Sequence, residues 1–213
     1  MRARSALAAL MVLLLSPHAF SQGFKLGMEA GTALVERSAW YTGDVNRGGY
    51  GFSNLYSLGL KARFAGPEEL DAFTARATVL FTRRSGVLDP GPPAMTNNTS
   101  FLMVSFGFGY EATLSRGPIA PYVGANLLLN AFGDMKSRLS GASSQDVSQA
   151  IGVNAGIGFT AGVRFRLSRL TDLGVGVSYD MHNVVGTGFT GQSIQAPALN
   201  TYGLSVSVLT SVF

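Results

Sequence analysis

The sequence predicts an all-β protein, a closed antiparallel transmembrane β-barrel of about eight strands formed by residues 22–213. Three observations predict this fold. Apolar residues alternate with polar or small ones at a period of two in one segment after another. Charged residues are only 13 % of the chain, against roughly 25 % in soluble domains, so much of the surface is expected to face something other than water. The connections between the segments are long and short in turn.

The N-terminus, residues 1–21, has the pattern of a secretory signal peptide. Arg2 and Arg4 form a positive start, and an uncharged apolar run follows at residues 7–15. Ala19 and Ser21 place small residues where signal peptidase inspects the chain, so we expect cleavage after Ser21. The apolar run is shorter than the about 20 residues that a membrane-spanning helix needs.

The alternation is clearest in residues 153–167, where one face is apolar and the other is polar or glycine. Eight such segments are found, each of about 10 to 15 residues, which is enough for a tilted strand to cross the hydrocarbon core. The other seven begin near Phe24, Asn54, Phe73, Leu102, Pro121, Leu173 and Leu199.

The connections alternate in length, as they do in outer-membrane barrels, where the long loops lie outside the cell and the tight turns lie in the periplasm. Because unpaired backbone groups are costly in lipid, the sheet must close, and the first strand is expected to pair with the last. The long connections lie around residues 40–51, 89–93, 133–149 and 185–198, and the short ones at 66–71, 115–118 and 168–172.

Alternation alone does not say which face meets lipid, because a soluble barrel such as a lipocalin puts its apolar face inward. The polar face here is rich in glycine and poor in charge, which suits a narrow lumen better than a surface in water. The strands are also longer than the five or six residues that are typical of soluble proteins. We therefore expect the apolar face to be outward, with an aromatic girdle at each interface. The predicted periplasmic girdle is Phe24, Phe64, Phe73, Tyr110 and Phe165, and the outer one is Tyr56, Phe81, Phe132, Tyr202 and Trp40.

The last predicted strand, residues 202–213, alternates from Tyr202 and ends the chain with Phe213. With this strand and the barrel pattern, the mature chain resembles small outer-membrane β-barrel proteins of the OmpA/OmpX/OmpW type. The resemblance implies that Tyr202 and Phe213 belong to an assembly signal that the barrel-assembly machinery reads. Phe213 has the opposite parity to Tyr202, so a bulge or a frayed last residue is expected there.

The polar face carries ionisable residues that we expect to face the lumen. In so narrow a barrel they are interpreted as a plug of ion pairs, in which Glu29 and Glu111 each find a cation. The alternative interpretation is a selective pore. The residues are Lys25, Glu29, Lys61, Arg63, Arg76, Glu111, Arg164, Arg166, Asp180 and His182.

Ser178, Asp180 and His182 share one face of a strand, which is the only hint of hydrolytic chemistry. A serine hydrolase needs a serine beside the histidine and an acidic group that orients it, and spacing along one strand does not assemble them. With no cysteine and one histidine after the leader, no metal site, no cofactor and no catalytic residue is predicted. The mature chain carries 14 basic and 12 acidic residues once Arg2 and Arg4 are removed, so no nucleic-acid partner is expected.

These patterns predict an outer-membrane protein with a structural or permeability role and no catalysis. Its expected partners are outer-membrane lipids and, during biogenesis, the assembly machinery; a monomer is expected. Two alternatives stay open: a narrow channel for small or hydrophobic solutes, and an outer-membrane enzyme that modifies lipid.

Overall fold

The computed structural model describes residues 23–38, 42–43, 51–66, 70–89, 95–133, 135–140, 145–149, 152–184 and 198–212. The predicted leader, Trp40 and Phe213 lie outside these ranges. None of the residues described forms a helix with the length and hydrophobicity to cross a bilayer.

Ten β-strands are found in the described part of the chain. Their bounds are, in chain order, β1 Phe24–Val35, β2 Asn54–Ala65, β3 Asp71–Asp89, β4 Met95–Thr113, β5 Ile119–Phe132, β6 Met135–Ser140, β7 Gln145–Gln149, β8 Gly152–Arg166, β9 Thr171–Met181 and β10 Asn200–Ser211.

Eight of these strands, all except β6 and β7, form one closed antiparallel barrel, as predicted. Their hydrogen-bonded order is β3-β2-β1-β10-β9-β8-β5-β4, and the pairing of β3 with β4 completes the ring. The first and last strands pair without a register shift, from Lys25 opposite Ser211 to Val35 opposite Thr201. No bulge therefore interrupts β10 up to Ser211. Phe213 lies outside the described residues, so the structure does not show on which face of the strand it falls. One end of the barrel carries the short turns and the other the long connections; we call them the short-turn end and the long-loop end.

The apolar face of the alternating segments is the outer face of the barrel. A contiguous apolar band of this size is unusual on a soluble protein and is typical of a surface that meets lipid. Each barrel strand contributes large side chains that are a third or more exposed, among them Met28, Leu60, Val79, Phe106, Leu127, Phe159, Val177 and Leu204.

Aromatic side chains cluster at both edges of the apolar band, where Tyr and Phe rings sit favourably at membrane interfaces. At the short-turn end the neighbouring rings are Phe24 with Phe64, 4.8 Å between centroids, and Phe73 with Tyr110, 5.8 Å. At the long-loop end they are Tyr56 with Phe81, 6.0 Å, and Tyr179 with Tyr202, 4.9 Å.

Phe132 does not belong to the outer girdle, and the prediction that placed it there was wrong. Its side chain is buried, and its ring lies 6.2 Å from that of Phe101 inside the barrel. The cause is strand parity: on β5 the outward residues near this end are Leu127 and Leu129, so Phe132 falls on the inner face.

The strands that flank the third connection continue beyond the barrel, and the described part of the fifth connection is largely strand. β3 and β4 continue their pairing beyond the barrel to Asp89 and Met95. Within the fifth connection β6 and β7 form a hairpin, and β6 pairs with the upper part of β4. The barrel sheet is therefore extended at its long-loop end.

Candidate functional site in the barrel lumen

The ionisable residues predicted for the lumen lie on the inner face, with Arg166 at its edge. Lys25, Arg63, Glu111, Arg164, Asp180 and His182 are buried, and Glu29, Lys61 and Arg76 are half-buried. Arg166 is exposed at the short-turn end, beside the mouth of the lumen.

The largest charge cluster surrounds Glu111, on β4. Its carboxylate accepts hydrogen bonds from Lys61 Nζ at 3.5 Å and from Arg63 Nε at 3.2 Å. Arg164 Nη2 also donates a hydrogen bond to it. The two guanidinium groups both donate to the Thr113 hydroxyl, at 3.4 and 3.5 Å. Because the carboxylate is only 3 % exposed, a hydrogen-bonded set of this kind is what allows these charges to be buried.

Tyr122 on β5 packs within the same cluster. Lys61 Nζ lies 5.3 Å from the centre of its ring, and the Arg164 guanidinium lies 5.2 Å from it, both within the range of cation–π attraction. Gly162 and Gly176 leave room for this ring, since a Cβ at either would lie within 2.7 Å of the Tyr122 hydroxyl. The glycines of the inner face thus make space for a large side chain in a narrow lumen.

Two further ion pairs lie in the lumen. At the short-turn end Lys25 Nζ donates to Asp172 at 2.6 Å. Nearer the middle, Arg76 Nη2 donates to Asp180 at 2.8 Å, and the Ser178 hydroxyl donates to the other Asp180 oxygen at 3.0 Å.

His182 lies just beyond the end of β9 and faces the lumen. One ring nitrogen lies 3.4 Å from the Asn130 amide oxygen and the other 3.0 Å from the Thr201 hydroxyl. Both nitrogens are therefore engaged by groups other than Ser178. Since Ser178 donates to Asp180, the serine, acid and histidine do not form the relay that a serine nucleophile needs.

A cavity of about 60 Å³ occupies the middle of the lumen, between Glu29, Lys61, Arg76 and Asp180. Among the described residues, no cation lies within ion-pair distance of Glu29, in contrast to Glu111. Three polar atoms of residues that line this cavity have no protein partner, and a cavity of this size has room for a few hydrogen-bonded water molecules. These atoms are Arg76 Nε, Thr78 Oγ1 and Ser105 Oγ.

Apolar side chains fill the lumen at the long-loop end, which the sequence did not lead us to expect. We call this cluster the apolar cap; Phe52, Leu55, Met103 and Leu199 are its least exposed members, at no more than 1 %. The signal was present in the sequence, because Leu80 and Met103 interrupt the polar face of their strands at matching heights. The cap consists of Ala33, Val35, Phe52, Leu55, Leu80, Phe101, Met103, Phe132 and Leu199.

The lumen therefore has three layers of different chemistry. Ion pairs occupy the short-turn end, a small polar cavity occupies the middle, and the apolar cap occupies the long-loop end. In the part of the chain that is described, no three His, Asp or Glu side chains gather as metal ligands would.

No protein-family model matches the chain. No curated protein matches it in sequence. Solved structures do match it. Neisserial surface protein A aligns with a TM-score of 0.56 and 20 % identity, over 89 % of this chain and 97 % of that one. Ail, the attachment invasion locus protein of Yersinia pestis, aligns with a TM-score of 0.47 and 13 % sequence identity, over 89 % of this chain and 99 % of that one. The outer membrane enzyme PagL aligns with a TM-score of 0.32 and 12 % sequence identity, over 87 % of this chain and 98 % of that one.

The match to the neisserial protein covers nearly all of both chains. Because the sequence identity is only 20 %, the match shows a shared fold and nothing about a shared function. The closed ring of eight antiparallel strands and the apolar outer band agree with it. This chain has the fold of the small eight-stranded outer-membrane β-barrels of the OmpA and OmpX type.

Proposed function

We propose that the protein is a sealed outer-membrane barrel with a structural role, which neither conducts solutes nor catalyses a reaction. The observation that carries this proposal is the filling of both ends of the lumen. The cap places nine buried apolar residues at the long-loop end, and the Glu111 cluster and the Lys25–Asp172 pair occupy the short-turn end. An ion would have to pass an apolar layer where water is excluded, which is the arrangement of a hydrophobic gate that is closed.

The ion pairs also explain how charged side chains can be buried in a lumen that has no water-filled channel. Buried charges are costly unless they are paired, and the ion pairs supply that pairing for all five buried or half-buried cations and for Glu111, Asp172 and Asp180, without an external counter-ion. The charged side chains of the lumen are therefore better suited to stabilising the barrel than to binding dissolved ions.

The alternative of a lipid-modifying enzyme is less well supported by the geometry. Ser178, Asp180 and His182 lie inside the barrel, whereas a membrane lipid would approach from the outer face. A lipid-deacylating activity that disappeared in His182→Ala would favour the enzyme.

Conductance of the refolded mature protein in a planar bilayer tests the sealed lumen, after heat-modifiable gel migration has shown that it is folded. We expect no stepwise channels from the native protein. A variant with Phe52, Phe101 and Met103 all changed to alanine should conduct, because it thins the apolar layer without touching the ion pairs. The matched control changes three lipid-facing residues, Leu60, Phe106 and Leu127, to alanine and should stay silent.

Stable stepwise channels from the native protein would contradict the proposal and favour the narrow channel. Silence of the cap variant would mean that the ion-pair layer is sufficient to block ions by itself.

A further inference from the structure

His182 connects the apolar cap to the wall of the barrel. Its backbone N–H donates to the carbonyl of Leu199, a cap residue, at 2.9 Å. Its own carbonyl accepts a hydrogen bond of 2.6 Å from the Asn130 amide. His182 is 1 % exposed, and it lines the central cavity together with Leu80 of the cap. It therefore lies at the boundary between the polar cavity and the apolar cap.

The hydrogen bonds of the imidazole ring assign it a neutral form with the hydrogen on Nδ1. Because the Asn130 amide nitrogen donates to the His182 carbonyl, the group that Asn130 presents to the ring is its oxygen, which can only accept. Nδ1 lies 3.4 Å from that oxygen and so carries the hydrogen. Nε2 is then an acceptor, and the Thr201 hydroxyl donates to it at 3.0 Å. A second proton, on Nε2, would meet this hydroxyl hydrogen and force it to turn away.

A proton on the ring would also be a buried charge with no direct counter-ion. Among the described residues, no carboxylate lies within ion-pair distance of the ring, and Asp180, the nearest along the chain, pairs with Arg76 at 2.8 Å. Residues 183–201 contain no ionisable side chain. The residues that face His182 from β5, β8 and β10 are also uncharged: Asn130, Gly156 and Thr201.

Burial is the largest influence on the ring, which lies beyond the end of β9 and three residues past Tyr179 of the outer aromatic pair. It lowers the pKa of His182 from 6.5 to about 4. The Asp180 carboxylate raises this pKa and the Arg76 guanidinium lowers it, so the two members of that ion pair act in opposite directions.

We propose that protonation of His182 opens the apolar cap, so that the lumen is sealed at neutral pH and conducts ions in acid. The switch rests on the sealed lumen proposed above and names its regulation. A buried imidazolium requires water around it, and the central cavity has room for only a few molecules. Further water has to enter through the cap, and an apolar layer that becomes wet no longer acts as a closed hydrophobic gate.

Acid favours the open form because the closed form binds the proton more weakly. The pKa is about 4 in the closed form and about 6.5 for a hydrated imidazole. The ratio of open to closed barrels should therefore rise roughly 20-fold between pH 7 and pH 5. Well above pH 6.5 the ring is neutral in both forms, and the ratio should no longer depend on pH.

Planar-bilayer recordings of the refolded mature protein at pH 7 and pH 5 test the switch, with the frequency of openings as the measured quantity. The native protein should open roughly 20-fold more often at pH 5. His182→Gln should lose this acid response, because an amide does not titrate. Glu29→Gln is the matched control and should keep the response, since Glu29 is a titratable group that lines the same cavity.

Nitrogen-15 NMR of the histidine-labelled mature protein gives a second measurement that does not depend on conductance. His182 is the only histidine outside the predicted leader, so its ring signals need no further assignment. We expect the hydrogen on Nδ1 at pH 7 and a titration midpoint well below 6.5. Heat-modifiable migration at pH 5 checks that the barrel is still folded.

Four results would each overturn the switch: silence of the native protein at both pH values, acid openings that persist in His182→Gln, loss of those openings in Glu29→Gln, or a ring midpoint near 6.5. Silence at both pH values would leave the sealed lumen standing. Openings that were equally frequent at pH 7 and pH 5 would contradict the sealed lumen as well as its regulation.

Discussion

Replacement of Glu111 by alanine is expected to lower the free energy of unfolding by about 3 to 5 kcal/mol, the usual cost of breaking a buried ion pair from one side. The variant would leave Lys61, Arg63 and Arg164 in the lumen without their shared counter-charge. Three cations facing one another in a space screened from bulk water repel strongly. Denaturant titration of the refolded protein, followed by heat-modifiable migration, measures the loss.

Glu36→Ala is the control for Glu111→Ala. Glu36 is a carboxylate at the long-loop rim, half-buried and bonded to Asn200, and the removal of such an interfacial group should cost about 1 kcal/mol or less. A second variant, Glu111→Ala combined with Arg63→Met, should recover part of the lost stability, because it removes one of the three cations that would face one another without the Glu111 carboxylate. Equal stability of Glu111→Ala and the native protein would show that the cluster is not what holds this end of the lumen together.

Val177→Arg is expected to cost about 2 to 4 kcal/mol and to impair assembly, since it places a charge on the lipid-facing surface near the middle of the bilayer. Val177 is 56 % exposed on β9, opposite Ala161 on one side and Leu204 on the other. Neither neighbour offers a polar group to the new guanidinium. The fraction of folded protein after refolding into lipid vesicles, compared with the native chain, measures the effect.

Ser178→Arg is the matched comparison, one residue further along the same strand. Ser178 faces the lumen beside Asp180 and lines the central cavity together with Glu29, so a cation there has carboxylates nearby. We expect a smaller loss than for Val177→Arg. If the two variants refolded equally well, the assignment of inner and outer faces would be wrong.

The sequence by itself determined the features that depend on one strand at a time. Period two assigns each residue to one of two faces, and from this follow the outward position of Val177 and Leu204 and the inward position of Lys25, Arg63 and Glu111. The alternation of long and short connections indicated an antiparallel ring, and the need to satisfy backbone groups in lipid required β1 to pair with β10. The leader and the role of Phe213 remain predictions.

Only the tertiary structure decided the features that depend on several strands at once. Strand tilt and stagger determine which inward residues of different strands reach the same height, and a period-two pattern carries no information about that stagger. This is why Glu111 meets Lys61, Arg63 and Arg164 while Glu29 faces the cavity. It is also why Leu80, Met103 and Phe132, which look like isolated exceptions along their own strands, come together as the apolar cap.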